Sequence, residues 1–314
     1  MKLSSFPVPF PKTVFSEKQF TIKAGKKQRL SDKLRYAATR CETARKKKSI
    51  LITDEKSCAG PDGRKRKKFP KHRQRRMEKG WEIMERDQEM TRKKGWLCVG
   101  LGILVFLTLA LEVVVILAES AVYGAAPSAL WQHCIHWTLT CAVWCAGLGL
   151  VHKAARRKAL FDEAEEDRKG LRHVQWILLA AVTAAGVLFM TANWDMTLKP
   201  FAEWSRFMER FGSAGTAGFL FQYLYYLVES AIILTVIMLG QRAGEFFFCQ
   251  GRKTFLPWGW LFCSLLWGFP HLLTKNWETA VMSIVLSFVF ELAYLAAGRN
   301  KWISYAAVAV IFLL

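Results

Sequence analysis

The chain has 314 residues, 52% of them hydrophobic, and carries 45 Lys and Arg against 25 Asp and Glu. The charge is uneven, because residues 1–95 hold 29 Lys and Arg but only 11 Asp and Glu, which leaves the remainder nearly neutral and strongly apolar. This division excludes a single soluble globular domain, and the eight cysteines, which form no C-x-x-C pair, predict no disulfide framework.

Residues 1–94 predict a basic, mostly disordered tail, because few apolar residues interrupt its charge and the densest basic block covers 63–76. Only 78–94, which mixes acids and bases, is expected to continue as a helix into the following apolar segment. We expect the tail to fix the orientation of the chain, or to be an extension upstream of a later Met. Binding of anionic lipid headgroups is the alternative, and no nucleic acid is expected.

Residues 95–314 predict an all-α, polytopic transmembrane helical bundle, because apolar runs of about 20 residues recur and a helix of that length crosses a bilayer. The last run has only 13 residues and would barely span. The seven predicted spans are 96–118, 129–151, 174–192, 219–240, 255–273, 280–297 and 302–314.

Charge in the connecting segments predicts the orientation. With the tail inside, the inner segments 152–173, 241–254 and 298–301 hold 12 Lys and Arg, whereas the three outer segments hold four. Cytoplasmic loops carry the excess of positive charge in membrane proteins. The sequence therefore predicts an integral, multi-pass membrane protein with a cytoplasmic N-terminus.

One outer segment, 196–211, has the pattern of an amphipathic helix. Phe201, Trp204, Phe207 and Phe211 recur at helical spacing with charged residues between them. Such a helix is expected to lie in the membrane interface, as an anchor or, alternatively, as a lid over a cavity.

Ionisable residues inside apolar spans are costly and therefore mark candidate functional sites. The sequence places six of them there: Glu112, His133, His136, Glu229, His271 and Glu291. The two histidines of the second span lie near three cysteines, which is one possible metal or haem site. Because all five lie on one helix, we expect interfacial His and packing Cys instead.

The C-terminal third carries two short motifs. The first contains Glu229, or alternatively Glu245 followed by Gln250-Gly251, and the second reads Trp267-Gly268-Phe-Pro-His271. With these motifs, residues 219–314 resemble the CPBP intramembrane metalloproteases, also called ABI or type II CAAX prenyl endopeptidases. That family has Glu-Glu-x-x-x-Arg on one helix and Phe-x-x-x-His on the next.

The resemblance implies a water-activating carboxylate and a metal-binding histidine. Here these would be Glu229 or Glu245 with His271, holding a divalent metal such as zinc and cleaving a prenylated or peptide substrate. Trp267 stands at the family's Phe position and Gln250 at its Arg position. The last span has no His or Asn where the family has its second pair.

Depth along the helices favours Glu229 over Glu245 as the partner of His271. At the rise of an α-helix, Glu229 and His271 lie at comparable distances from the inner face, whereas Glu245 lies near the inner surface. A buried carboxylate beside an imidazole can hold a metal, act as a general base or form a structural pair. Glu291 is expected to reach headgroups, pair helices or complete the site.

Three functions follow as hypotheses. The first is a CPBP-like membrane protein with an incomplete site that is non-catalytic or weakly active and serves binding or regulation, with membrane lipid and another membrane protein as partners. The second is an active endopeptidase. The third is a small-molecule or ion transporter that uses Glu112, Glu229 and Glu291. A His-x-x-x-Asn motif beyond Leu314 in a longer product would favour the second.

Overall fold

The computed structural model describes residues 71–124, 127–161 and 170–314, and the side chains from Gly80 onward within these ranges. The chain divides into two units, Met1–Lys71 and His72–Leu314, and the second contains the helical bundle. Of the tail predicted over residues 1–94, residues 1–70 lie outside the described ranges, and residues 71–94 are helical.

The described residues form helices and contain no strand. We number the α-helices in chain order, and two single turns, a 3₁₀ turn at Gly212–Ala214 and a π turn at Ser264–Gly268, connect some of them. The α-helices are α1 (Lys71–Tyr123), α2 (Leu130–Arg157), α3 (His173–Asn193), α4 (Lys199–Phe211), α5 (Gly215–Phe248), α6 (Trp258–Cys263), α7 (Pro270–Thr274), α8 (Trp277–Ala296) and α9 (Lys301–Leu313).

Within the described ranges, five helical segments are long and apolar enough to cross a membrane, which supports an integral, multi-pass protein. They are Gly80–Tyr123, Leu130–Arg157, His173–Asn193, Lys199–Phe248 and Trp277–Ala296. The predicted count of seven is not confirmed. The predicted span 255–273 is divided into α6, the π turn and α7, and α9 has only 13 residues.

Helix α5 is the centre of the bundle. Every residue from Ile232 to Phe246 is buried, and the helix is mostly apolar on all sides, as expected for a helix surrounded by others. It packs against α2, α6 and α9, while α3 packs against α8 and α9 and leaves its other apolar face exposed. Such exposed apolar faces are suited to contact with lipid.

Glycines allow the close approach of α5 to the segment that follows it. A Cβ on Gly240 would lie 2.4 Å from the Cβ of Phe262, and one on Gly244 would lie 2.2 Å from the Trp258 ring. Small residues let helix backbones approach one another closely in membranes. The α6 segment can therefore lie directly against the C-terminal half of α5.

The π turn arises beside a proline. Pro270 has no N–H to donate, and Phe269 N donates to Ser264 O at 2.7 Å with the wider spacing of a π turn. This arrangement places Trp267 and His271 on the same side of the segment.

Candidate functional site

Glu245 lies near the C-terminal end of α5, where its side chain is fully buried and fully paired. Arg242 Nη1 donates to Oε2 at 3.1 Å, and Arg299, from the α8–α9 turn, donates to both carboxylate oxygens. The backbone N–H of Thr254 donates to Oε1 at 2.9 Å, and Gln241 Nε2 donates to the same oxygen at 3.1 Å. This carboxylate joins α5, the following loop and the start of α9.

Gln241 connects the same network to α6. Its Oε1 accepts from the backbone N–H of Trp258 at 2.9 Å, so it satisfies a donor at the start of that helix. Its Nε2 donates to Thr254 O as well as to Glu245. Gln250, the residue at the family's Arg position, is exposed with a φ of 54° in the turn that ends α5, away from this network.

Glu291 lies beside this network without joining it. Its side chain is fully buried, and neither carboxylate oxygen has a hydrogen-bond partner among the described residues. Oε2 lies against Gly259, where an added Cβ would come within 2.1 Å of it. Arg299 and Glu245 are the charged groups that act on it.

Glu229 lies about four turns before Glu245 on α5, beside Trp267 of the second motif. Trp267 Nε1 donates to Glu229 Oε1 at 3.1 Å, and Trp267 is buried. His271 Nδ1 donates to Trp267 O at 2.6 Å, and its ring packs edge-to-face against the indole at 5.2 Å between centroids. The structure thus brings all three residues together through Trp267, whose indole contacts both the Glu229 carboxylate and the His271 ring.

A third group of buried polar side chains lies beside the N-terminal half of α5, and the sequence pattern did not point to it. Lys199 Nζ donates to Phe312 O at 3.2 Å and lies 3.8 Å from the centre of the Tyr226 ring. Tyr226 OH donates to Glu203 Oε1 at 2.9 Å. Helix α4 is therefore attached to the bundle through buried charged residues, while Phe201 is 65% exposed.

Helices α1 and α2 are joined by a histidine between two carboxylates. His136 Nδ1 lies 2.8 Å from Glu119 Oε2, and its Nε2 lies 3.5 Å from Glu112 Oε1. Tyr225 OH donates to Glu112 Oε1 at 3.0 Å. His133 instead stacks on Trp137. Tyr225 lies one turn before Glu229 on α5 and therefore connects Glu112 to the helix that carries Glu229, whereas Glu291 lies beside the Glu245 network.

The residues do not fit a zinc site. A zinc site takes at least three protein ligands at about 2.0–2.3 Å from the metal. Within the described ranges, no three His, Cys, Asp or Glu side chains converge in this way. Glu229 Oε1 accepts from the Trp267 indole, and Glu245 is paired with two guanidinium groups.

Glu245 is built as a structural ion pair, Glu229 as a buried hydrogen-bond acceptor, and Glu291 as a buried carboxyl group without a described donor. Comparison with known proteins found no protein-family model, no curated protein and no solved structure that matches this chain.

Proposed function

We propose that this chain is a non-catalytic or weakly active multi-pass membrane protein with a binding or regulatory role. Its C-terminal third would keep motifs similar to those of CPBP endopeptidases without their reaction centre. The proposal includes a cytoplasmic N-terminus, which rests on the distribution of Lys and Arg between the connecting segments.

The observation that carries the proposal is the pairing of Glu245. A carboxylate that activates water needs an oxygen within hydrogen-bond distance of that water. Both oxygens of Glu245 already accept from protein donors, including Arg299, and the side chain has no exposed area. A group in this setting holds helices together and has no access to a substrate.

Glu229 and His271 support the same conclusion. In a metal site, the second nitrogen of a ligating histidine is held by an acceptor, and the bond from His271 Nδ1 to Trp267 O has that form. This contact is the one feature that favours the alternative of an active endopeptidase. However, Glu229 Oε1 already accepts from the buried Trp267 indole, and within the described ranges no third His, Cys, Asp or Glu joins Glu229 and His271 in a metal-binding group.

Stability of the full-length protein in detergent, with Glu245→Gln as the variant, tests the proposal. Removal of one partner of a buried ion pair leaves an uncompensated charge and costs about 3–5 kcal/mol of unfolding free energy. Two guanidinium groups face Glu245, so we expect a loss of this size. The matched control is Glu209→Gln on α4, where the side chain is exposed and the loss should be within about 0.5 kcal/mol.

Hydrolysis of a fluorogenic prenylated peptide and zinc content should be measured on the same samples. The proposal predicts little or no turnover and no stoichiometric zinc in the wild type, and therefore no higher turnover or zinc content in the wild type than in the Glu245→Gln variant. Catalytic carboxylates are often replaced with no loss of stability. Zinc-dependent turnover that disappears in a fully stable Glu245→Gln or His271→Ala variant would establish the endopeptidase alternative.

A further inference from the structure

The Glu291 side chain is a buried carboxyl group that the function proposed above does not use. It lies on α8, and its two oxygens are inaccessible to solvent and have no hydrogen-bond partner among the described residues. A carboxylate gives up its hydration when it is buried, and it needs donors in return. Without them, the group becomes neutral rather than remaining charged. The setting of Glu291 therefore favours the carboxylic acid.

The cation that acts on Glu291 does not supply the missing donors. Arg299 acts on it through space, but Nη1 and Nη2 of Arg299 both donate to Glu245, and Nη2 also donates to Thr254 O. Glu245 accepts a further bond from Arg242, so it is the ionised member of the two carboxyl groups. Two carboxylates in one dry site repel each other, and the proton goes to the one that lacks donors.

The other elements around α8 bring no charge that would balance an ionised Glu291. Cys263 of α6 is close enough to act on it, and a thiol supplies no positive charge. Among the described residues, α3, α7, α9 and the π turn also pack against α8, and none of their ionisable groups acts on Glu291. Glu245, Cys263 and Arg299 are therefore the groups that set its protonation.

A carbonyl oxygen beside Oε2 acts in the same direction. A Cβ added to Gly259 of α6 would overlap both Glu291 Oε2 and Ile237 O, so both oxygens lie against that glycine. A backbone carbonyl is an acceptor only. Its closeness to Oε2 therefore disfavours an ionised carboxylate and adds no donor.

We propose that Glu291 is a proton-binding site that holds its proton at neutral pH. Its ligand is a proton, because a site whose oxygens are inaccessible has no room for a metal ion or an organic cation. Glu245 stays ionised, since Arg242 and Arg299 pair with it. Ionisable residues inside membrane bundles mark proton and ion pathways, and this assignment places a stored proton beside the Glu245 network. The inference is independent of the function proposed above.

Infrared spectroscopy tests the site directly, because the C=O stretch of a carboxylic acid is separate from the bands of ionised carboxylates and of amides. The full chain is measured at pH 7 in a detergent without carbonyl groups, beside Glu291→Gln. A glutamate that titrates near pH 4.3, the ordinary value, is about 500-fold more ionised than protonated at pH 7. The wild-type spectrum minus the Glu291→Gln spectrum should instead show one carboxylic-acid equivalent per chain. This band should lie at the high-frequency end of the range, where acids without hydrogen bonds absorb.

Two further variants complete the experiment. Glu209→Gln on α4 removes an exposed carboxylate and should leave the carboxylic-acid band unchanged. Glu291→Asp keeps the acid on a shorter side chain, so the band should shift in frequency and keep its area. This variant also gives the answer if Glu291→Gln does not fold, which the amide band and gel filtration report.

Three results would overturn the proposal. Equal carboxylic-acid bands in wild-type and folded Glu291→Gln protein would show that Glu291 is ionised at pH 7. A Glu291→Asp spectrum that differs from wild type only in the carboxylate bands would show the same. Loss of a carboxylic-acid equivalent in Glu209→Gln protein would show that the band does not report Glu291.

Discussion

Replacement of Glu291 should increase the stability of the protein. The residue is a buried carboxyl group on α8 whose oxygens accept no hydrogen bond from the described part of the chain. Glu291→Met keeps the length of the side chain and removes its polar atoms. Methionine is unbranched and flexible, so it can follow the same path past Gly259.

The magnitude follows from what the carboxyl group lacks. Leaving a buried polar group without a partner costs about 1–3 kcal/mol, and its replacement by an apolar group of similar shape removes that cost. We therefore expect Glu291→Met to raise the unfolding free energy by about 1–3 kcal/mol. For a bundle of this size, such a gain corresponds to about 2–4 °C in melting temperature per kcal/mol.

A neighbouring glycine provides a second measurement of the same contact. A Cβ on Gly259 would lie 2.1 Å from Glu291 Oε2 and 2.5 Å from Ile237 O, so Gly259→Ala should destabilise the protein by about 1–3 kcal/mol. In a Glu291→Ala background the first contact is gone and the second remains. The loss caused by Gly259→Ala should therefore be smaller, and this difference measures the coupling between the two residues.

Thermal unfolding in detergent, with Glu209→Gln as the exposed control, is the assay. A Glu291→Met protein that melts below wild type would refute the reasoning, because it would mean that the carboxylate has a favourable partner such as a bound cation. Additive effects of Gly259→Ala and Glu291→Ala would refute the contact itself. A stabilised Glu291→Met protein would identify the residue as one retained for a role other than folding.

Two further predictions concern packing in the bundle. His136→Ala should lower the unfolding free energy by about 2–3 kcal/mol, because it leaves the buried Glu119 carboxylate without its 2.8 Å contact. Glu119→Gln keeps a hydrogen-bonding oxygen and should lower the unfolding free energy by less. Equal melting temperatures of the two variants would contradict this prediction. Gly240→Ala should cost about 1–3 kcal/mol through its overlap with Phe262, whereas Gly149→Ala, which meets nothing within 4 Å, should stabilise its helix by about 0.5–1 kcal/mol. Melting curves that rank the two glycine variants in the opposite order would contradict the packing described for α5.

Hydropathy predicted the long helices well and the shorter elements poorly. Apolar runs located α1, α2, α3, α5 and α8, because burial in lipid or protein requires about 20 apolar residues in a row. The same rule ended α5 at Gly240, whereas the helix continues to Phe248. Charged residues at this end are buried through tertiary pairing, and a hydropathy window cannot represent such pairing. The rule also predicted one span over 255–273, where Pro270 and the π turn divide the segment.

The amphipathic pattern over 196–211 predicted a helix, and the structure has α4 at Lys199–Phe211, but the pattern did not indicate which of its charged side chains are buried. A period of 3.6 indicates two faces without saying which one meets protein. In the structure Glu203 is buried against Tyr226, and Lys199 is buried against Phe312, 113 residues away in the chain. Partners at such separations leave no signal in a single sequence.

The motif glutamates illustrate why the site was only partly predictable. Local spacing brought Trp267 and His271 together, since residues four apart lie on one helix face, and helix depth correctly placed Glu229 at their level. The role of Glu245 depended on Arg299, 54 residues away in a tight turn that the sequence indicated only as a helix break. A buried carboxylate opposite two guanidinium groups is a structural ion pair, whereas the same glutamate opposite water would be a general base. The distinction between a reaction centre and a helix connection thus depends on one distant arginine, and Glu245→Gln measures which of the two this glutamate is.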